Sequence, residues 1–164
     1  MTTFAIRPAT ADDVPTILRL IRALADYERL SHEVVATERD LHLALFETPG
    51  GPECLIARED GQPVGFALYF HNFSTFLGRR GLYLEDLFVD PAQRGRGYGR
   101  ALLQRLAAIA VERGCGRLEW SVLDWNQPAI GFYESVGATV MPDWRICRMT
   151  GEPLQAFAAS MATG

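Results

Sequence analysis

The chain has 164 residues, of which 48% are hydrophobic, and its formal net charge at pH 7 is −4. This length and apolar content predict a single globular domain, residues 1–164, with a core large enough to fold unaided. The charge is mildly acidic, and no basic cluster outside one short loop could follow a nucleic-acid backbone, so we expect no nucleic-acid partner.

Targeting and cysteine patterns indicate where the protein works. The first residues lack a signal-peptide pattern and no apolar run approaches membrane-spanning length, so we expect a cytoplasmic protein without membrane contact. The three cysteines, Cys54, Cys115 and Cys147, show no metal-ligand spacing. They are expected to be buried reduced thiols, and no metal site is predicted.

In the first part of the chain, a strand at residues 4–8 precedes a helix. Thr10 with the acidic residues after it can cap this helix, whose apolar residues recur at helical spacing from Val14 to Ala25. Thr37 can cap a second helix, which the glycines and prolines at 49–52 close.

A run of strands follows. Residues 54–58 and 64–73 predict a hairpin, and 82–89 predict the next strand, which Pro91 ends. A helix with a clear apolar face begins near Gly99 and ends at Gly114.

The last part of the chain continues the alternation of strands and helices. We expect a strand at 117–122, a helix at 127–136 behind an Asn126 cap, and a strand at 144–149, with frayed residues from Ala158. The whole order predicts an α/β (α+β) fold with a mixed central sheet flanked by helices.

The turn before the long helix is rich in glycine. Residues 93–99 read Gln-Arg-Gly-Arg-Gly-Tyr-Gly, directly after an apolar strand. The first N–H groups of a helix have no internal partner, and glycine lets an anion approach them, so the turn predicts a phosphate site. Position 100 is not the glycine of a dinucleotide fingerprint, and no Walker lysine is present. A turn that merely links a strand to a helix would show the same pattern.

Two adjacent carboxylates, Glu85 and Asp86, interrupt the apolar strand at 82–89. Neighbouring side chains point to opposite faces of a sheet, so at least one of them must occupy an unfavourable environment. A desolvated carboxylate has a raised pKa, which suits a general base. We favour Glu85 as this base, acting directly or through water. Pairing with an arginine or with a backbone amide is the alternative for either residue.

Tyr133 lies two turns into the helix that Asn126 caps. A phenol can donate a proton or a hydrogen bond to a departing thiolate, whose conjugate acid has a pKa of about 8.5. Packing in the core with a satisfied hydroxyl is the alternative function of such a tyrosine.

Several segments together resemble a known family. The pattern Arg94-x-x-Gly97-x-Gly99 is similar to the loop with which N-acetyltransferases of the GNAT superfamily hold the pyrophosphate of acetyl-coenzyme A. Five further segments resemble the diamine (spermidine/spermine) and thialysine acetyltransferase branch of that superfamily. They are Ile6–Thr10, Ile17–Ile21, Leu24–Glu28, Tyr83–Val89 and Leu123–Gln127.

The resemblance implies the GNAT acyl-CoA N-acyltransferase fold and a metal-free transfer of acetyl from acetyl-CoA to a small primary amine in a ternary complex. The amine would be a polyamine or a thialysine-like amino acid, and the protein would be a homodimer. A protein or peptide N-terminal acetyltransferase, which needs an open groove, is one alternative. A non-catalytic acyl-CoA-binding module is another.

The resemblance also implies roles for individual residues. Glu85 would be the base and Tyr133 the acid. Coenzyme contacts would come from Leu87, Phe88, Val89, Arg94, Gly95, Arg96, Gly97, Tyr98, Gly99, Arg100, Asn126, Pro128 and Ala129. The amine pocket would be bordered by Tyr27, Glu28, Glu85, Glu119, Trp120 and Ser121.

Overall fold

A computed structural model describes residues 1–161. The chain divides into two compact units, Met1–Ser121 and Val122–Gly164, and each is described by itself. None of the helices in the described residues is long and apolar enough to span a membrane.

The first unit contains a five-stranded sheet and three α-helices. The strands are β1 (Phe4–Pro8), β2 (Glu53–Glu59), β3 (Gln62–Ser74), β4 (Arg79–Val89) and β5 (Leu118–Trp120). The helices are α1 (Val14–Tyr27), α2 (Glu38–His42) and α3 (Tyr98–Glu112). The strand order is β1-β2-β3-β4-β5; β4 and β5 are parallel and the other neighbours antiparallel. The predicted mixed sheet flanked by helices is confirmed.

Local sequence signals explain the helix boundaries. Thr37 caps α2 by accepting a hydrogen bond from the Asp40 amide at 3.2 Å, and the predicted second helix continues past α2 as a π-helical turn, Leu43–Glu47. Gly114, with φ 68°, lies just beyond the end of α3, where a left-handed residue is needed to end a helix.

The core lies on both faces of the sheet. Helix α1 packs on one face through a cluster formed by Ile17, Leu20, Cys54, Ile56, Phe66, Leu68 and Phe88. The alternate residues Leu55, Ala57 and Ala67 are also buried and point to the other face. On that face Val89 contacts the start of α3. Its Cγ2 atom lies 3.8 Å from the position that a Cβ would take on Gly99.

The cysteines differ in burial. Cys54 is buried, as predicted, and burial raises the pKa of its thiol to about 12. Cys115 is half-buried and Cys147 is exposed, so the expected burial is wrong for Cys147. All three are free thiols.

Up to residue 161, the second unit contains two helices, α4 (Gln127–Ser135) and α5 (Gly151–Ala159). The strand predicted at 144–149 is not found among the described residues of this unit, because a strand needs a hydrogen-bonded partner and the unit, taken alone, supplies none. The expected fraying is wrong for Ala158 and Ala159, which belong to α5. Residues 162–164 lie outside the described residues.

The first prediction tests the sheet core. Replacing Val64, which is 4% exposed, with alanine should lower the free energy of unfolding by about 2 kcal/mol, because two buried methyl groups and their packing are lost. The matched variant Val35→Ala, at an 86% exposed position, should change it by less than about 0.5 kcal/mol. Equal effects in urea denaturation would contradict this core.

Candidate active site

The glycine-rich turn has the backbone conformation that its sequence predicts. Gly95 and Gly97 adopt φ values of 81° and 82°, which side chains rarely tolerate. A Cβ added to either residue would meet no atom within 4 Å, so the space beside both is open. Gly97 is the N-cap of α3, where the unpaired N–H groups begin. The turn therefore presents main-chain donors to a space that an anion could enter.

The large side chains of the turn are held by the protein. Arg94 Nε donates to the carbonyl oxygen of Val89 at 3.1 Å, and its guanidinium lies 4.4 Å from the Tyr27 ring centroid. Arg96 forms an ion pair with Glu59, and the Tyr98 hydroxyl donates to the same carboxylate at 2.7 Å. Binding of an anion in this turn would therefore depend on the main chain more than on Arg94 or Arg96.

The edge of β4 beside this turn is open. Strand β5 pairs only with Leu82–Leu84, so within the described residues of the first unit the rest of β4 has no strand partner on that edge. The amide of Asp90 donates to the Val64 carbonyl oxygen at 2.8 Å. In an antiparallel pair the main-chain groups of alternate residues point to the same neighbour, so those of Asp86 and Phe88 point toward β3. By this alternation, the main-chain groups of Leu87 and Val89 face the open edge.

A β-bulge produces this alternation. Leu68 lies opposite Asp86 and Tyr69 opposite Leu84, so Glu85 is an extra residue in β4. The bulge reverses the alternation beyond it and turns Asp86 to the face of Phe88, beneath α1.

The two adjacent carboxylates consequently have different surroundings. Glu85 is exposed, whereas Asp86 is half-buried. Burial, together with the negative charges of Glu85 and Glu28, raises the pKa of Asp86 to about 7. The desolvated carboxylate that the strand pattern predicts is thus Asp86, and the base assigned to Glu85 stays a prediction.

The end of α1 contributes Tyr27 and Glu28. Burial raises the pKa of Glu28, and this carboxylate influences Asp86. Glu28 and Asp86 form an acidic pair. Because the Tyr27 ring contacts the Arg94 guanidinium, the glycine-rich turn and this acidic pair lie on one side of the first unit. An acidic pair of this kind is suited to a cation.

The other predicted substrate residues lie on or beside β5. Glu119 accepts a hydrogen bond from Asn72 Nδ2 at 3.4 Å and lies 3.7 Å from Arg117 Nη1. The Ser121 and Tyr83 hydroxyl oxygens are 2.9 Å apart. These contacts tie β5 to β3 and β4. Trp120 pairs with Leu84, at the last position before the edge of β4 opens.

The second unit holds the remaining predicted residues. Asn126 Oδ1 accepts a hydrogen bond from the amide of Ala129 at 3.4 Å, which confirms the predicted cap of α4. Pro128 lies in the first turn of that helix, where a missing N–H costs nothing. Tyr133 lies further along α4, with its ring 5.4 Å from that of Phe132. The predicted coenzyme and acid roles of these residues stay predictions.

Comparison with known proteins identifies the family. The family model described as "Acetyltransferase (GNAT) family" matches residues 18–138. The chain belongs to this family. The chain is therefore a GNAT acetyltransferase, as the loop and strand motifs predicted.

Individual relatives are similar over most of their length. A thialysine N-epsilon-acetyltransferase from Bos taurus is 38% identical, across 93% of this chain and 96% of the relative. An L-ornithine N5-acetyltransferase from Arabidopsis thaliana is 36% identical, across 93% and 86%. The solved structure of an integron cassette protein from V. cholerae aligns with a TM-score of 0.80 at 29% identity, covering 96% and 98%.

Sequence patterns alone do not identify the part that two residues of this region play. They point to Asp86 as one of two carboxylates, but the bulge that turns it beneath α1 has no signal in the sequence. Glu59 belongs to no motif. Its partners in the glycine-rich turn, Arg96 and Tyr98, follow it by 37 and 39 residues in the sequence.

The second prediction concerns the titration of Asp86. A carbon NMR titration should give this carboxyl a midpoint near pH 7, and Glu28→Gln should lower it by removing a negative neighbour. Because the pKa is raised in the folded chain, the unfolded state loses this proton first. The contribution of Asp86 to the free energy of unfolding should thus decrease between about pH 4 and pH 7. A midpoint near pH 4 would contradict the burial.

Proposed function

We propose that this protein transfers an acetyl group from acetyl-CoA to a primary amine of a small molecule. One observation carries the proposal. The glycine-rich turn, where the first N–H groups of α3 have no helical partner, directly follows the edge of β4 that β5 does not cover. Membership of the GNAT family supports the donor.

The residues present fit acetyl-CoA as the donor. The open space beside Gly95 and Gly97 leaves room for a diphosphate against the first turn of α3. Leu87 and the amide of Val89 can pair along the open edge with the amide groups of the pantetheine arm, as a strand would, while the Val89 carbonyl oxygen accepts from Arg94 Nε. Bound in this way, the coenzyme supplies an activated thioester.

The acidic pair formed by Glu28 and Asp86 favours a cationic acceptor. Relatives named for thialysine and ornithine, at 38% and 36% identity, support an amino acid whose side chain ends in a primary amine. We propose this class first and polyamines second. In either case a carboxylate would hold the ammonium until the nitrogen loses a proton.

The proposed chemistry is a direct transfer. The neutral amine nitrogen forms a bond to the acetyl carbon as the bond from that carbon to sulfur breaks. Glu85 accepts the proton whose loss makes the bound ammonium a neutral amine, directly or through water, and Tyr133 donates a proton to the departing sulfur. The acetylated nitrogen then releases its remaining extra proton, which restores the Tyr133 phenol. The exposed position of Glu85 at the bulge leaves it accessible to water and substrate. The role of Tyr133 rests on the family resemblance.

We also propose that the two units form a single acetyltransferase domain, because the family match at residues 18–138 spans both. A homodimer is proposed from the resemblance, and light scattering of the purified protein tests it. A cytoplasmic location stays a prediction from the sequence.

The third prediction tests the function with an acceptor panel. Purified protein should release free thiol from acetyl-CoA with thialysine, ornithine or lysine, and more slowly with spermidine or putrescine. Transfer only to peptide N-termini would favour the alternative peptide acetyltransferase. Binding of CoA without transfer to any acceptor would favour the non-catalytic module.

Variants of the proposed catalytic pair belong to the same assay. Glu85→Gln and Tyr133→Phe should each lower kcat by about 10²- to 10⁴-fold, because each removes a proton transfer. Asp86→Asn is the matched control for the carboxylate. A greater loss of kcat in Asp86→Asn than in Glu85→Gln would assign the base to Asp86 and contradict the proposal.

The fourth prediction tests the cation site. Glu28→Gln should raise the KM of the amine about tenfold and leave the KM of acetyl-CoA unchanged, since one charge contact from a half-buried carboxylate to the acceptor is lost. Glu33→Gln, an exposed position beyond the same helix, is the control and should change neither. Initial rates over both substrates measure these constants, and an unchanged amine KM in Glu28→Gln would remove Glu28 from the pocket.

A further inference from the structure

One carboxylate outside the predicted site holds the glycine-rich turn. Oε1 of Glu59 accepts a hydrogen bond from the Tyr98 hydroxyl at 2.7 Å and also one from Arg96 Nη1. The Glu59 side chain is 12% exposed, whereas that of Arg96 is 51% exposed. The carboxylate is therefore the fixed member of the group, and the two side chains of the turn reach to it.

Glu59 lies where β2 pairs with β1. It is the last residue of β2 and pairs with Phe4 in β1. The Phe4 ring stacks on Tyr98 with centroids 4.1 Å apart and an interplanar angle of 3°. Next to Glu59, two further hydrogen bonds join the start of β1 to the end of β2. The Thr3 amide donates to Asp60 Oδ1, and the Asp60 amide donates to the Thr3 carbonyl oxygen, each at 2.8 Å. Tyr98 is thus held by its hydroxyl and by its ring.

The two anchored residues flank Gly97. With Arg96 and Tyr98 fixed to one oxygen, the left-handed residue between them and the first N–H groups of α3 are held in one arrangement. The ion pair also engages the Arg96 guanidinium, so that this side chain points to the sheet. A turn that is ordered before the anion arrives loses less entropy on binding.

We infer that Glu59 is a positioning residue for the diphosphate of acetyl-CoA, acting through Arg96 and Tyr98. This inference rests on the proposed binding of the diphosphate at the turn. It assigns to Glu59 an effect on coenzyme affinity alone, because Glu59 contacts the turn and none of Glu28, Glu85 or Asp86.

The test compares two acetyl donors. In Glu59→Ala, the KM of acetyl-CoA should rise about tenfold with kcat unchanged, because an ion pair and a charged hydrogen bond no longer order the turn. Glu59→Gln retains an acceptor at the same place and should recover part of the loss. The kcat/KM for S-acetyl-N-acetylcysteamine, a thioester without the diphosphate, should be the same in all three proteins.

Glu53→Ala is the matched control. Glu53 begins the same strand and forms a two-point ion pair with Arg113, at 2.6 and 2.9 Å, away from the turn. This variant should lower Tm without changing the KM of acetyl-CoA. If Glu59→Ala does not fold, Tyr98→Phe provides the test, because it keeps the ring stacked on Phe4 and removes only the hydroxyl that donates to Glu59. This variant should raise the KM of acetyl-CoA roughly threefold.

Several results would overturn the inference. An unchanged KM of acetyl-CoA in Glu59→Ala, or in Tyr98→Phe where the alanine variant is unfolded, would show that the anchor does not matter for binding. An equal loss with the truncated donor would show a general structural effect. If the wild-type protein neither binds CoA nor acetylates any amine, the proposed function fails together with this inference, whereas normal wild-type activity isolates the role of Glu59.

Discussion

Strand β4 is paired along its whole length with β3 and only at Leu82–Leu84 with β5. This unequal pairing is the constraint on which the candidate site depends. Within the described residues of the first unit, it leaves the main chain of Leu87 and the amide of Val89 without a strand partner on one edge, immediately before the turn that begins α3. Main-chain donors left in this way must find water or a ligand. The two surfaces together can hold an extended molecule with an anionic end, which is the shape of coenzyme A.

The side chains around this edge differ in charge and in role. Arg94 and Arg96 are engaged by protein partners and shape the turn, whereas the amides are left to bind the anion. On the α1 side of β4, Glu28 and Asp86 lie close enough to raise the pKa of Asp86. A cation binding there would relieve their repulsion. The diphosphate of the donor would therefore be recognised by main-chain amides of the turn after β4, and the cationic acceptor by carboxylates beside β4.

The sequence predicts the features whose causes are local. Glycines at Gly95 and Gly97 and the apolar face of α3 are readable because the turn and the helix need those residue types. The choice between Glu85 and Asp86 is not readable, since a bulge depends on the register with β3. Glu59 is missed because its partners are distant in sequence. A strand at 144–149 has the right local pattern, but strand formation depends on a partner that the described residues of the second unit, taken alone, do not supply.

The most direct measurement of the account is a titration of isotope-labelled protein with CoA, followed by the amide shifts in ¹H–¹⁵N spectra. Binding at the proposed surfaces should shift the amides of Leu87, Val89 and residues 95–99 and slow their hydrogen exchange. Shifts confined to other parts of the described chain, or no shifts at CoA concentrations equal to the acetyl-CoA concentrations that support turnover, would contradict the claim that these amides hold the coenzyme.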